Sequence, residues 1–332
     1  MPGSRPSILT NMAFRQSPAW TAAATSICRG AETPDDLPPL RQALRLFRLR
    51  RTFDAVVTMG PRPSLAYGLL CAVLRVPSKQ ILTEVFLDAA RPDSLGWRLK
   101  TTLFRLVARR ALGLLTNSSA EVALIARRFG LPEDRLRFVP MHTTIAEPQA
   151  VAENDGSVLS IGRTLRDLDA LVAAARRVDA PFVVVAGAAD RLPEPLPANV
   201  RVLRDVPLAE SHALLRQAAV VAIPLLPAER STGQVVLFEA MALGKPVVAT
   251  RAVGTTDYVR DGVNGLLVEP GDAGALAEAI ERLLRNPDLA RRLAAVALED
   301  CRTRWLPDVH AQAKLAAIRA LWLQAQPETA PA

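Results

Sequence analysis

Short apolar runs alternate along the chain with longer stretches whose apolar positions recur at helical spacing. The first kind reads as β-strand and the second as amphipathic helix. Strands are predicted at Ile8–Met12, Ala55–Met59, Gln80–Glu84, Gly113–Thr116 and Arg137–Pro140. Helices fall between them at Leu40–Arg51, Ser64–Leu74, Trp97–Leu112 and Ala120–Phe129, while the segment 13–39 shows neither period. The alternation restarts beyond residue 150, with strands at Ser157–Ile161, Phe182–Ala186, Val200–Leu203, Val220–Leu225, Pro246–Thr250 and Gly265–Val268. Helices follow at Asp167–Arg177, Leu208–Gln217, Gly233–Leu243, Ala273–Arg285 and Pro287–Arg302, and a last one at Pro307–Leu323.

The strands are apolar throughout rather than alternating, so both of their faces are covered. Strand–helix alternation with such strands predicts an α/β protein with parallel, doubly wound sheets. Two blocks predict two Rossmann-like domains, a shortened one at 1–145 and another at 155–305, joined by the polar stretch MHTTIAEPQAVAENDG. Residues 306–332 form a closing helix and tail, expected to pack back toward the first domain. Ligands of such sheets sit beyond the carboxyl ends of the strands, and two domains bring those ends to a central cleft.

The composition narrows the class. A chain of 332 residues with 50% hydrophobic and 22% charged residues is globular and not disordered. No apolar run reaches the roughly 18 residues a spanning helix needs. Three distant cysteines, Cys28, Cys71 and Cys301, suggest neither a disulfide framework nor a metal cluster. With no secretory signal at the N-terminus, the expected location is a reducing cytoplasm.

The net charge of +8 is uneven: residues 1–150 hold 21 basic and 11 acidic residues, and the remainder is slightly acidic. The excess gathers on Leu40–Arg51, with Arg41, Arg45, Arg48, Arg50 and Arg51, and on Trp97–Leu112, with Arg98, Lys100, Arg105, Arg109 and Arg110. Basic amphipathic helices suit the inner, anionic surface of a membrane. They equally suit a solvated face on an arginine-rich protein. Nucleic acid is not an expected partner, because no aromatic stripe or binding motif accompanies the charge.

The loop after Val220–Leu225 carries the clearest chemistry. From Ser231 to Gly244 the only ionisable residue is Glu239. A carboxylate in an apolar helix is costly to bury unless donors meet it, and a ligand's hydroxyl groups are one such source. A surface-facing Glu, or one paired with an arginine, is the other reading. Gly233 allows close backbone approach, and the helix start beside it offers N–H groups to an anion. Ser231 with Gln234 also fits a capping box.

Here the residues resemble a known family. The run GQVVLFEAMALGKPVVAT, followed by VGTTDYVRDGVNGLLVEPGD, is similar to the donor-binding half of family 4 glycosyltransferases, retaining enzymes of the GT-B fold. The resemblance includes LSIGRTLRD at 159–167, VVVAG at 183–187 and RVLRDVPLAESHALLRQAAVVAIPLL at 201–226. In the first half, FDAVVTMGPRPSLAYGLLCAVLRVPSKQILTE and TNSSAEVALIARRFGLPEDRLRFVP fit the family pattern more weakly.

The resemblance implies transfer of a sugar from a nucleotide-diphosphate sugar to an acceptor glycan or lipid-linked sugar, with no metal or other cofactor. It implies that Glu239 binds the ribose hydroxyls and that Arg163 meets the diphosphate. Leu168 stands where a lysine usually assists, and Arg166 is assigned that task, or else an ion pair with Asp167 or Asp169. Ser231, Thr232, Gly233 and Gln234 match the loop that approaches the phosphates or the sugar. Ser231 also departs from the family, whose first motif glutamate falls there; Glu229 is the nearest substitute. A glycine-rich loop after the first strand is missing, and Val85 and Met141-His142 replace expected residues. Asn11, Glu84, Asn117 and His142 are the acceptor-side candidates, and His212 and His310 are read as structural or exposed. Gly254, Thr255, Asp257 and Tyr258 belong to a loop that contacts the donor or caps a further helix at Thr255 or Thr256. Alternative readings are a non-enzymatic, glycosyltransferase-like partner protein and a sugar-nucleotide 2-epimerase. A nicotinamide dehydrogenase is disfavoured, since no G-x-G-x-x-G follows a first strand.

Overall fold

In the computed structural model, which describes residues 5–30, 32–85, 94–151 and 153–326, the apolar runs form two six-stranded parallel sheets. Each sheet belongs to its own unit: Met1–Pro140 with Asp308–Ala332, and Met141–Pro307.

The first unit holds β1 (Ile8–Thr10), β2 (Ala24–Ser26), β3 (Ala55–Met59), β4 (Gln80–Thr83), β5 (Gly113–Thr116) and β6 (Leu136–Phe138) in the order β2-β1-β3-β4-β5-β6. Its helices are α1 (Pro18–Ala23), α2 (Pro39–Leu49), α3 (Pro61–Val73), α4 (Leu95–Arg110) and α5 (Ser119–Phe129). The segment without a period thus contains α1 and β2. β2 is a short edge strand whose residues are half-buried or exposed, so no apolar run marks it. Trp20 of α1 is buried and anchors the segment in the core. A Cβ on Gly68 would collide with Val107, so glycine allows α3 and α4 to pack closely.

The second unit holds β7 (Val158–Ile161), β8 (Phe182–Ala186), β9 (Val200–Arg204), β10 (Val220–Ile223), β11 (Val247–Thr250) and β12 (Leu266–Val268). Their order is β12-β11-β10-β7-β8-β9. Helices α6 (Leu168–Ala175), α7 (Leu208–Gln217), α8 (Gln234–Ala242), α9 (Ala273–Arg285) and α10 (Pro287–Arg304) complete it. No helix starts at Thr255 or Thr256; the chain runs from β11 to β12 through turns. The Thr255 hydroxyl is spent inside this turn, on the carbonyls of Thr250 and Ala252.

The closing helix, α11 (Pro307–Gln324), belongs to the first unit from Asp308 onward. Ala311, Ile318 and Leu321 join Ile8, Trp20, Ile81 and Leu115 in one core cluster. Gly113 makes room for this helix, since a Cβ there would stand 2.7 Å from a Leu321 methyl. Lys314 is fully buried, and its ammonium lies 3.5 Å from Oε1 of Glu84.

A prediction follows for α11. Leu321→Ala empties space in a packed core and is expected to destabilise the first unit by about 2–4 kcal/mol. Leu323→Ala, on the exposed side of the helix, should shift stability by less than about 0.5 kcal/mol. Urea titrations of the two variants check the difference.

Candidate functional site

Strands β7 and β10 are neighbours, yet the chain proceeds from β7 to β8 and β9 on one side and from β10 to β11 and β12 on the other. Such a reversal opens a crevice at the carboxyl ends of the strands. The loops that leave β7 and β10 are tied together across it. Leu226 N donates to Leu165 O at 2.9 Å, Asp167 N to Pro224 O at 3.1 Å and the Thr232 hydroxyl to Thr164 O at 3.2 Å.

Arg166 builds the first of these loops from inside. Its Nε and Nη2 donate to Ile161 O at 3.2 and 3.0 Å, and its Nη1 to Thr164 O at 3.1 Å. Gly162, at φ +130°, carries no Cβ because one would run into this guanidinium. Enclosure pushes the Arg166 pKa down to about 10. The side chain therefore braces the loop, and it is not paired with Asp167 or Asp169, which corrects that expectation. Asp167 instead caps α6, accepting from Ala170 N at 2.9 Å.

Arg163 is the cation that the same loop leaves outside. Its side chain is 69% exposed, and the nearest carboxylate, on Asp205 after β9, is 3.9 Å away. A pair this long and this exposed contributes little, so the guanidinium is free to turn to another anion.

The second loop ends in Gly233, which takes φ +79° as the N-cap of α8. A Cβ there would press on Ile223 and Leu225 at 3.1 and 3.2 Å, so both the conformation and the space require glycine. As a glycine, this N-cap residue supplies no side-chain cap of its own. The N-cap is Gly233 and not Ser231 as the expected capping box requires, since α8 begins at Gln234, three residues after the serine. Ser231, Thr232 and Gln234 are all buried here. Gly254 of the β11 loop packs onto them: a Cβ would stand 2.7 Å from Ser231 Cβ and 2.9 Å from Gln234 Nε2. The start of α8 is thus a helix end enclosed by three strand loops.

Helix α8 is buried from Val236 to Ala242, so Glu239 has to be met within the protein. Its side chain is 7% exposed. Oε1 accepts from the Thr144 hydroxyl at 2.7 Å and lies 3.2 Å from His212 Nε2. The carboxylate therefore does not wait for a ligand to supply its first donors. Among the described residues Oε2 has no hydrogen-bond partner.

The sequence reading missed Thr144 and His212. His212 was legible in principle: it lies three positions before Leu215, the buried residue of α7, and so shares its face. Thr144 lies in irregular chain, where no periodicity points to it.

The first-unit candidates are placed differently. Asn11 is buried after β1 and commits its whole amide: Nδ2 donates to Gln42 Oε1 and Met59 O, and Oδ1 accepts from Met59 N at 2.7 Å. That spends it on joining the ends of β1 and β3. Glu84 and Asn117 line one small cavity at the ends of β4 and β5, together with Glu121, whose Oε2 accepts from Asn117 N at 3.1 Å. In the second unit, His142 Nδ1 lies 2.8 Å from Thr143 O. His310 is buried on α11 beside Pro140 O. Among the described residues no three His, Cys, Asp or Glu side chains gather as metal ligands.

Comparison with known proteins bears on the second unit above all. Residues 156–286 match the sequence family described as Glycosyl transferases group 1. The D-inositol 3-phosphate glycosyltransferase of Nocardioides sp. is 40% identical over 101 residues, 30% of this chain and 22% of that protein. The phosphatidyl-myo-inositol mannosyltransferase of Mycobacterium leprae is 42% identical over 104 residues, 31% of this chain and 27% of that protein. The matches thus span about a quarter of the length of these curated relatives. Among solved structures, Anabaena HepE in complex with UDP-glucose gives a TM-score of 0.66 at 17% identity, covering 93% of this chain and 97% of that one. Sucrose-phosphate synthase from Thermosynechococcus elongatus gives 0.67 at 19%, covering 91% and 84%. The fold is that of the GT-B class, two Rossmann-like domains each built on a parallel sheet.

The two arginines of one loop are predicted to separate in their effects. Arg166→Ala leaves buried carbonyls unpaired and should cost about 1–3 kcal/mol of stability. Arg163→Ala should change stability by less than about 0.5 kcal/mol. Thermal unfolding of both variants without ligand measures this.

Proposed function

We propose that the chain is a glycosyltransferase that moves a sugar from a nucleoside-diphosphate sugar to an acceptor, with retention of anomeric configuration. The supporting observation is that the loop bearing the exposed Arg163 and the loop leading into α8 are tied together where the sheet reverses, with Glu239 buried in that same helix. Three chemically different groups of a nucleotide sugar find three matching groups there. The likeness of residues 156–286 to group 1 glycosyl transferases supports the same reading.

In this reading Oε2 of Glu239 accepts from the ribose hydroxyls while Thr144 and His212 hold Oε1. The diphosphate lies between the Arg163 guanidinium and the amides at the start of α8, with the macrodipole adding to their attraction. The sugar reaches Ser231 and the Gly254 loop. As the bond from the anomeric carbon to the phosphate oxygen breaks, negative charge grows on the leaving diphosphate. Fixed positive groups aimed at that charge favour the transition state over the bound donor. The acceptor hydroxyl attacks from the face the phosphate leaves, and its proton passes to a phosphate oxygen. No protein base and no divalent ion are needed for these steps.

The acceptor is proposed to be a glycan precursor or a lipid-linked sugar. The names of the two curated relatives, one acting on inositol phosphate and one on phosphatidyl-myo-inositol, agree with such acceptors. A peripheral position on an anionic membrane fits the first unit. Leu95, Leu99 and Leu106 of α4 are exposed among its basic residues, as are Leu40 and Leu44 of α2.

Two measurements test this. Uridine and guanosine diphosphates are expected to raise the melting temperature of the protein with EDTA present. Glu239→Ala and Arg163→Ala should each weaken the better nucleotide roughly 10- to 100-fold, the loss of a hydrogen bond to a charged group. Failure of every nucleoside diphosphate to bind sinks the donor reading. In flotation with vesicles, wild type is expected to follow phosphatidylglycerol-containing vesicles and not pure phosphatidylcholine ones. Leu95→Glu with Leu99→Glu should abolish this.

A further inference from the structure

The second unit has a cavity at the end of its sheet away from the crevice. It opens where the strands begin, beside Ala219 before β10, Val220 at the start of β10 and Pro246 before β11, a strand length or ~13 Å from the loops described above. Its volume is about 490 Å³, within the usual range for small-ligand sites. Small residues keep it open, among them Ala219, Gly244 and Ala294, and Leu283 and Leu298 give it an aliphatic wall.

Lys245, Asn154 and Arg291 interrupt this apolar lining, and of the two cations Arg291 is paired with Asp288. Lys245 is 2% exposed, and Nζ donates to Glu153 O at 3.0 Å. An ammonium carries three donors. Among the described residues no carboxylate oxygen lies within 4.0 Å of it. Burial holds its pKa below the ordinary lysine value, with Asp155 opposing this from farther away. A buried charge normally has a close counter-ion, because the cost of leaving water is otherwise unmet. Nothing in the crevice chemistry uses this one.

We propose that the cavity is a second ligand site, for an anionic amphiphile whose aliphatic chain fills the apolar bowl and whose carboxylate meets the Lys245 ammonium. The small residues define the chain's channel and the ammonium defines the head group. The site is separate from the crevice, so it stands whether or not the donor reading does.

Calorimetric titration with decanoate, below its critical micelle concentration, tests the assignment on the full chain. Decanol has the same chain without the charge. Wild type is expected to bind decanoate at least tenfold more tightly than decanol. Lys245→Met should remove that preference and leave decanol binding unchanged. Ala294→Phe, which fills the cavity, should abolish binding of both. No decanoate binding, or equal affinities for the two compounds in wild type, overturns the proposal without any variant. So does undiminished decanoate binding by Lys245→Met or Ala294→Phe.

Discussion

The reversal of strand order between β7 and β10 is the constraint on which the second unit depends. It obliges two loops to leave adjacent strands toward different neighbours, and a crevice between loops has to be held in shape. The protein holds it with backbone. Leu165, Pro224, Leu226 and Asp167 pair across the gap, and Arg166 fills the space beneath with a planar fork on two carbonyls. A lysine in its place would satisfy fewer acceptors in a fixed geometry. With the interior cation so committed, the exposed one, Arg163, stays available for an anion. Two arginines three residues apart do opposite work because one points in and the other out.

Much of this was legible in the sequence, for identifiable reasons. Strands β3, β5 and β8 coincide with the predicted runs because each is buried along nearly its whole length, and hydrophobic runs report burial. The edge strand β2 was not visible, since an edge with half-exposed residues needs no apolar run. Glu239 stood out because rarity is visible: one acid in an apolar helix has to be accounted for. Its protein donors were not visible, because Thr144 and His212 reach it through tertiary folding from 95 and 27 residues away. Arg166 was assigned from the family pattern, and the pattern does not reveal which way a side chain turns. Gly233 was singled out for close approach to a ligand, and the structure gives another cause: the left-handed φ and the pressure from Ile223 and Leu225 fix glycine even before a ligand is considered.

The buried charges of the two units are handled by different means. In the first unit Lys314 is answered by Glu84, so an ion pair joins α11 to the end of β4. In the second, Glu239 is answered by a hydroxyl and an imidazole. These two partners hold its Oε1 in place and leave its second oxygen to act on something else. The choice of partners, more than the depth of burial, is what separates a structural carboxylate from one suited to binding.

Ser231 sharpens the same point at the other end of α8. The residue is buried, close to Gly254 and three positions before the helix. A carboxylate there would stand near the place proposed for the diphosphate, where like charge repels. Serine removes that repulsion and keeps one donor and acceptor, which helps a nucleotide to bind. It also gives up the strong charge-assisted bond that an acid would make to a sugar hydroxyl. In the proposed reading, affinity for the nucleotide and hold on the transferred sugar therefore fall to different residues: Arg163, the α8 terminus and Glu239 for the first, and Ser231 with the Gly254 loop for the second.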